Sequence, residues 1–438
     1  MAQHSGGAIE SFERLPISFR LVNALHSTIF YLKKMVWPHK LVPFYPFPQY
    51  ISPLDPHYLI SGILVLAITG GCLWMVKRGK YLFLIAWSYY LITLLPVLGI
   101  IQVGGQAAAD RYTYLPSLSP FLLVGIGVAW CWKKISLIRF KMELKCVLFV
   151  CVCIVTFFLS YLTIIQIKVW NNSESFWSFV VSALPKAPSE AHIHLGMVYS
   201  KKGRLDEAIS EQKKALAIDP NLAGAHTNLG LFYAKKDRLD DAISEYKKAI
   251  AIDPHHEKAH YNLGLSYNKK GRLDDAISEY KKALAINPRY ADARTNLGNV
   301  YDKKGRIDEA IAEYKKAIAI DPHHEKAYYN LGLSYYKKGR LDDAIAEYKK
   351  ALAINPRYAD VHNNLGNVYH RKGKFDKAIY EYKQSLAIKH DCAEAHNNLA
   401  VAYYSKGNYK LAIIHCNKAV ELGYSVNPKL LEVLKPYR

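Results

Sequence analysis

The chain has 438 residues, too many for one ordinary core, so two modules are expected. Composition changes near Ser189, from an apolar, aromatic half to one rich in Ala, Lys, Glu, Asp, Tyr and Leu, and the near-neutral mean hydropathy of −0.06 averages the two. The net charge of +21 divides almost evenly between the halves, beside apolar runs in the first and once per repeat in the second; with no RNA- or DNA-binding motif among these cations, nucleic acid is not an expected partner.

Residues 1–57 are expected to be an amphipathic, interfacial N-terminal segment. Met1–Gly7 has neither a basic n-region nor an apolar h-region, so it does not read as a signal peptide. Phe19–Trp37 is apolar but interrupted by His26, Lys33 and Lys34, the pattern of a helix lying in the membrane interface. Residues 58–168 then hold four stretches near the ~20 residues that cross a bilayer. They are Tyr58–Val76, Tyr81–Ile101, Pro116–Trp132 (the shortest) and Cys146–Ile167. Lys77, Arg78 and Lys80 follow the first; Lys133, Lys134, Arg139, Lys141 and Lys145 separate the last two. The middle loop, Gln102–Leu115, carries only Arg111 against Asp110. Positive loops stay cytoplasmic, so the middle loop and everything after the fourth span are expected outside, in a periplasm or lumen.

Within that loop, Arg111 stands beside Tyr112 and Tyr114. A guanidinium matches phosphate oxygens in bidentate fashion, which makes these three candidate contacts for a lipid phosphate. The alternative is an Arg111–Asp110 pair in an aromatic belt, with Pro116 opening the next helix.

Ser18–Leu25, Trp37–Leu41 with Phe44–Pro46, and Asp110–Pro116 resemble the rear membrane portion of the bacterial relatives of the transmembrane-and-TPR O-mannosyltransferases, polytopic enzymes of the GT-C class. The likeness implies a shared topology and a polyprenyl-phosphate lipid as a partner. Members of that family use an acidic residue in an early extracytoplasmic loop, and this chain starts after that region. Glu10, Glu13, Asp55 and Asp110 match no catalytic motif, so no catalytic residue is assigned.

Residues 169–188 read as a connecting helix, where Glu174–Leu184 before Pro185 resembles half a degenerate hairpin. Seven repeats follow over 189–426. Leu-Gly recurs at Leu195-Gly196, Leu229-Gly230, Leu263-Gly264, Leu297-Gly298, Leu331-Gly332 and Leu365-Gly366, then as Leu399-Ala400. This is the ~34-residue period of the tetratricopeptide repeat, which the chain resembles column by column until the last repeats, where His390 replaces the proline and Ser385 and Cys416 occupy the usual Ala and Tyr columns. Small residues let two helix backbones approach and Tyr fills the gap beside them. Gly203, Gly271, Gly305, Gly339, Gly373 and Gly407 are expected to end each first helix. Asp206, Asp240, Asp274, Asp308, Asp342 and Asp376 are expected to cap each second helix. Glu257–His324 and Glu325–Asp391 are nearly the same paired unit, copied; residues 427–438 read as a closing helix. The expected fold is all-α: polytopic transmembrane helices followed by a tetratricopeptide α-solenoid, a right-handed superhelix of hairpins.

In such arrays the first helices line a concave groove. Asn228, Asn262, Asn296, Asn330, Asn364 and Asn398 each precede the Leu of the Leu-Gly pair. An amide donates and accepts at once, so this ladder suits the main chain of an extended peptide. The positions match the Asn ladder of the O-GlcNAc transferase array. Lys258, Lys326, Tyr261, Tyr329, Asn299 and Asn367 are expected on the same face. The competing role is structural, with Asn satisfying neighbouring hairpins.

Nothing else points to catalysis or a cofactor. The seven cysteines show no metal-ligand spacing, and His255, His256, His260, His323 and His324 recur with the repeat, which places them at hairpin connections. Two readings remain: a membrane-tethered scaffold for extended protein segments, or a non-catalytic part of a lipid-linked glycosyltransferase that presents acceptor proteins.

Overall fold

The computed structural model describes residues 17–36, 45–46, 55–95, 106–108, 114–136, 141–184 and 187–437. It is helical apart from one short antiparallel ribbon, in which Tyr45–Pro46 pairs with Gln106–Ala108. Two compact units result, Met1–Pro220 and Asn221–Arg438.

The first unit opens with α1 (Ile17–Val36), which packs on α2 (Pro56–Lys77). Its polar side turns inward: Arg20, Asn23, Ser27 and Thr28 are buried, while Leu21 and Leu25 are exposed. Polar groups within an apolar bundle must find internal partners. Accordingly Tyr90 donates to the Thr28 carbonyl at 2.7 Å, and His26 Nδ1 lies 3.1 Å from Ser61 Oγ.

Among the described residues three helices are long and apolar enough to cross a membrane: α2, α4 (Tyr114–Ile135) and α5 (Lys141–Trp170). Their outer faces carry exposed large apolar side chains, Leu66 and Phe157 among them, as a lipid-facing surface would. Arg78 over Trp74, Lys134 over Trp130 and Lys145 over Trp132 put cation–aromatic pairs at the helix ends. The expected second span, Tyr81–Ile101, is described only in part. Its described helix, α3 (Leu82–Leu94), has 13 residues, and residues 96–105 lie outside the described set. The expected shortest span is instead a helix of 22 residues, because the helix runs on through Lys133 and Lys134.

Helix α6 (Ser173–Ala183) begins at Asn172, whose side chain accepts from the backbone N–H groups of Glu174 and Ser175. It packs on the first hairpin, α7 (Ser189–Lys201) and α8 (Leu205–Ile218), with Trp177 stacked on His194. Glu174 receives Lys202 at 2.5 Å and Arg204 at 2.6 Å.

The second unit is a row of six hairpins: α9/α10 (Ala223–Lys235, Leu239–Ile252), α11/α12 (Glu257–Lys269, Leu273–Ile286), α13/α14 (Ala291–Lys303, Ile307–Ile320), α15/α16 (Glu325–Lys337, Leu341–Ile354), α17/α18 (Ala359–Arg371, Phe375–Ile388) and α19/α20 (Ala393–Ser405, Tyr409–Glu421). A closing helix, α21 (Pro428–Leu434), follows. The columns do what packing requires. Ala242, Ala276, Ala310, Ala344, Ala378 and Ala412 are fully buried. The Leu-Gly glycines lie against a tyrosine of the second helix; a Cβ on Gly298 would stand 2.6 Å from Tyr314 Cε1. Gly271, Gly305, Gly339, Gly373 and Gly407 hold positive φ at the ends of first helices, as expected, and Asp237 takes that conformation in the remaining hairpin.

The aspartate caps are a correction. From the first hairpin through α18, each second helix starts from an Arg or Lys with no side-chain cap, and Asp206, Asp240, Asp274, Asp308, Asp342 and Asp376 fall inside its first turn; α20 starts from Asn408, whose side chain accepts from the Leu411 N–H. There they favour the positive end of the helix dipole and receive a lysine from the next hairpin, Lys338 reaching Asp308 at 2.5 Å. Lys270, Lys304, Lys372 and Lys406 make the same pair with Asp240, Asp274, Asp342 and Asp376. The dipole and the neighbour, rather than an N-cap, account for the column.

Candidate functional site

Within the second unit the first helices of successive hairpins touch one another as well as their own partners, so they line one face together. Residues three and four apart share a helix face, which puts Lys258, Tyr261, Asn262 and Leu265 side by side on α11. The corresponding residues of α15 are Lys326, Tyr329, Asn330 and Leu333.

All six asparagines of the column, Asn228, Asn262, Asn296, Asn330, Asn364 and Asn398, are half-buried. Four of them reach back to the hairpin before. Asn296 donates to Tyr261 Oη at 2.9 Å and Asn364 to Tyr329 Oη at 3.0 Å. Asn330 donates to Asn299 Oδ1 at 2.8 Å, and Asn398 to Asn363 Oδ1 at 3.1 Å. The structural role weighed against a ligand role therefore exists. It does not exhaust the amide: donating one N–H leaves the other N–H and both oxygen lone pairs, of which Asn296 and Asn364 use one in accepting from Asn299 and Asn367 at 3.4 Å. Asn299 and Asn367 accept from the buried hydroxyls of Tyr314 and Tyr382, both at 2.7 Å.

Tyr261 and Tyr329 sit between these amides. Burial, aided by Tyr290 and Asp292, pushes Tyr261 up to about 12. Burial, aided by Asp360 and Tyr358, does the same at Tyr329, also to about 12. Both phenols stay neutral donors and acceptors at physiological pH. Their rings lean on two residues that the sequence reading passed over, Tyr290 at 4.8 Å and Tyr358 at 5.3 Å between centroids. The signal for them was present, since both follow an Arg in the connection at the same place of the copied unit.

Lys258 and Lys326 are exposed, and neither has an ion pair among the described residues. The histidines of the connections make internal bonds: His256 Nε2 lies 3.3 Å from Thr227 Oγ1 and His324 Nε2 lies 3.2 Å from Thr295 Oγ1. His260 belongs to α11, inside the helix, and meets Glu279 at 2.6 Å. That bond is one of a set, with His226–Glu245 at 2.5 Å and His362–Glu381 at 2.7 Å, that ties first helix to second. Among the described residues no group of His, Cys, Asp and Glu gathers as a metal site. Of the lipid-phosphate candidates, Arg111 and Tyr112 lie outside the described residues, and Tyr114 opens α4.

Two family models match the chain. One, described as TPR repeat, covers residues 196–237, 232–271, 264–305, 303–339, 332–373 and 366–407; the other, described as Tetratricopeptide repeat, covers 393–422. Together they take in more than half of the sequence. Curated relatives include Protein O-mannosyl-transferase Tmtc2 of Drosophila melanogaster, 27% identical over 147 residues, or 34% of this chain and 15% of that protein. Protein O-mannosyl-transferase TMTC2 of Homo sapiens is 26% identical over 136 residues, 31% of this chain and 15% of that protein. The match thus spans about 15% of the length of these relatives. Similar solved structures include MamA, 37% identical over 38% of this chain and 97% of its own, with a TM-score of 0.35. Pseudomonas aeruginosa pilF is 22% identical over 48% of this chain and 96% of its own, with a TM-score of 0.44.

Proposed function

We propose that this chain, which belongs to the tetratricopeptide repeat family, is a membrane-anchored scaffold that holds extended segments of partner proteins along the Asn-lined face of its first helices. The unbroken asparagine column carries the reading. An extended segment brings unpaired main-chain N–H and C=O groups, and half-exposed amides in register can answer both. Four of the six are already oriented by a bond to the preceding hairpin, so less side-chain freedom is lost on binding. The three long apolar helices support anchoring, and the charge of their connecting loops supports an extracytoplasmic array.

The test is photo-crosslinking in the native membrane. A photoreactive residue at Leu265 or Leu333, on the same face as the asparagines, is expected to capture partner proteins, and one at Ser278 or Ala346, exposed on second helices, is not. Equal capture from both faces, or partners unchanged after Asn296, Asn330 and Asn364 are replaced by Ala, would remove the groove. Digestion of the repeats in right-side-out vesicles is the expected topological result, and protection would reverse the orientation.

A second reading is supported by the likeness to the O-mannosyl-transferases: the array presents acceptor proteins to sugar transfer from a polyprenyl-phosphate donor. Labelling of a peptide by the purified chain with such a donor, lost on Arg111→Ala, is the outcome that would favour it.

A further inference from the structure

The copied unit in this array is two hairpins long, and the face it presents alternates accordingly. Lys258, Tyr261 and Leu265 on α11 are followed by Asp292, Thr295 and Asn299 on α13. Lys326, Tyr329 and Leu333 on α15 are followed by Asp360, Asn363 and Asn367 on α17. The geometry repeats with the residues. Each leading tyrosine leans on a tyrosine of the next connection, at 4.8 and 5.3 Å, and accepts from an asparagine of the next first helix, at 2.9 and 3.0 Å. Each begins beside an exposed lysine without an ion pair among the described residues. The matching second-helix tyrosines, Tyr314 and Tyr382, bond Asn299 and Asn367 at the same 2.7 Å.

We propose that this face holds two equivalent seats, one built on Lys258, Tyr261 and Tyr290 and the other on Lys326, Tyr329 and Tyr358, and that its partner is an extended segment carrying the same short motif twice. The inference rests on the peptide-binding reading above and names the class of partner. Each copy of the motif sets a carboxylate against the lysine, an apolar side chain against the tyrosine pair, and its main chain along the asparagines. The spacing follows from packing. Adjacent helices lie about 8–10 Å apart, so two successive steps between first helices span roughly 16–20 Å. An extended chain advances about 3.3 Å per residue, so the motif recurs after about five or six residues.

The experiment uses the full chain in detergent micelles, with peptides selected on it from a random display library and titrated by calorimetry. A single-motif peptide is expected to bind twice per chain. Lys258→Glu and Lys326→Glu, both exposed substitutions, should each remove one binding event, and circular dichroism should show the fold intact. A tandem peptide with the motifs about five or six residues apart should bind once per chain, tighter by roughly 10²–10⁴-fold through effective concentration. One binding event per chain for the single motif, loss of all binding from one lysine variant, no loss from either, or no gain in the tandem peptide would each overturn the two seats. A selected peptide that binds once and is lost on Asn296→Ala would leave the groove standing without its duplication. Failure to select any peptide would count against the groove and the seats alike.

Discussion

The contact between Gly298 and Tyr314 sets how tightly a hairpin can close, and it yields a quantitative expectation. A Cβ on Gly298 would lie 2.6 Å from Cε1, 2.9 Å from Cδ1 and 3.0 Å from Cζ of the Tyr314 ring. Carbon atoms in contact sit about 3.5–4.0 Å apart, so the ring would have to retreat by about an ångström. It is 2% exposed and its hydroxyl is held by Asn299, so retreat breaks packing or that bond. Overpacking of this kind costs about 1–3 kcal/mol. Helix propensity returns about 1 kcal/mol when Gly becomes Ala. Gly298→Ala should therefore destabilise the third hairpin of the second unit by up to about 2 kcal/mol. The last hairpin carries the compensated pair: Ala400 stands in the glycine column, Cys416 in the tyrosine column, and both are fully buried. Gly298→Ala introduced into Tyr314→Cys should accordingly be neutral or stabilising, although Tyr314→Cys alone costs about 3–5 kcal/mol as a large-to-small change. The coupling between the two changes should reach about 1–3 kcal/mol. Amide hydrogen exchange of α13 and α14 in the full chain reads it, because repeat arrays open locally. A coupling below about 0.5 kcal/mol would mean that the glycine column is not set by the ring.

This pair also shows what a sequence reading of the array can reach. Glycine, alanine and tyrosine columns were legible because every hairpin solves the same packing problem at the same period. In sequence Cys416 is a departure from the tyrosine column, and it becomes a matched exchange with Ala400 only once the ring that would collide with a Cβ is located. The aspartate column was legible as a column and not as a role. A cap and a first-turn residue differ by two positions, and the turn places Arg or Lys, rather than Asp, at the start of the second helices up to α18. Tyr290 and Tyr358 escaped because they sit in connections, where periodicity does not say which way a side chain turns. In α1 the alternation of polar and apolar residues was visible. Which side faced inward was not, since between apolar helices the usual burial rule inverts and Arg20 and Asn23 become interior.

Two further expectations concern groups that differ between otherwise matching hairpins. Tyr348 Oη is buried without a hydrogen-bond partner among the described residues, whereas Tyr314 Oη donates to Asn299. Tyr348→Phe should be neutral or stabilising and Tyr314→Phe should cost about 0.5–1.5 kcal/mol, read by hydrogen exchange; equal losses would refute the distinction. The second concerns pH. In the last hairpin His415 replaces the glutamate that meets His260 and His362 elsewhere, and its Nδ1 lies 3.0 Å from that of His396. Burial first, then His396 and Lys383, holds His415 at about 4, and burial lowers His396 as well. Lys418, Asp391 and the stacked Tyr403 complete the surroundings. Both histidines are neutral in the folded hairpin and near 6.5 when it opens. Their contribution is therefore full above pH 6.5 and declines as pH falls from there toward 4. At His362 burial lowers the pKa, but the bonds to Glu381 and to the Pro356 carbonyl, with the charge of Glu381, together outweigh it and raise the value, so that contribution is full below 6.5 and is lost as pH rises. Acidification should thus open α19 and α20 before α17 and α18. His415→Glu, which restores the pairing of the other hairpins, should remove the difference; unchanged acid exchange in that variant would show that the histidine pair is not its source.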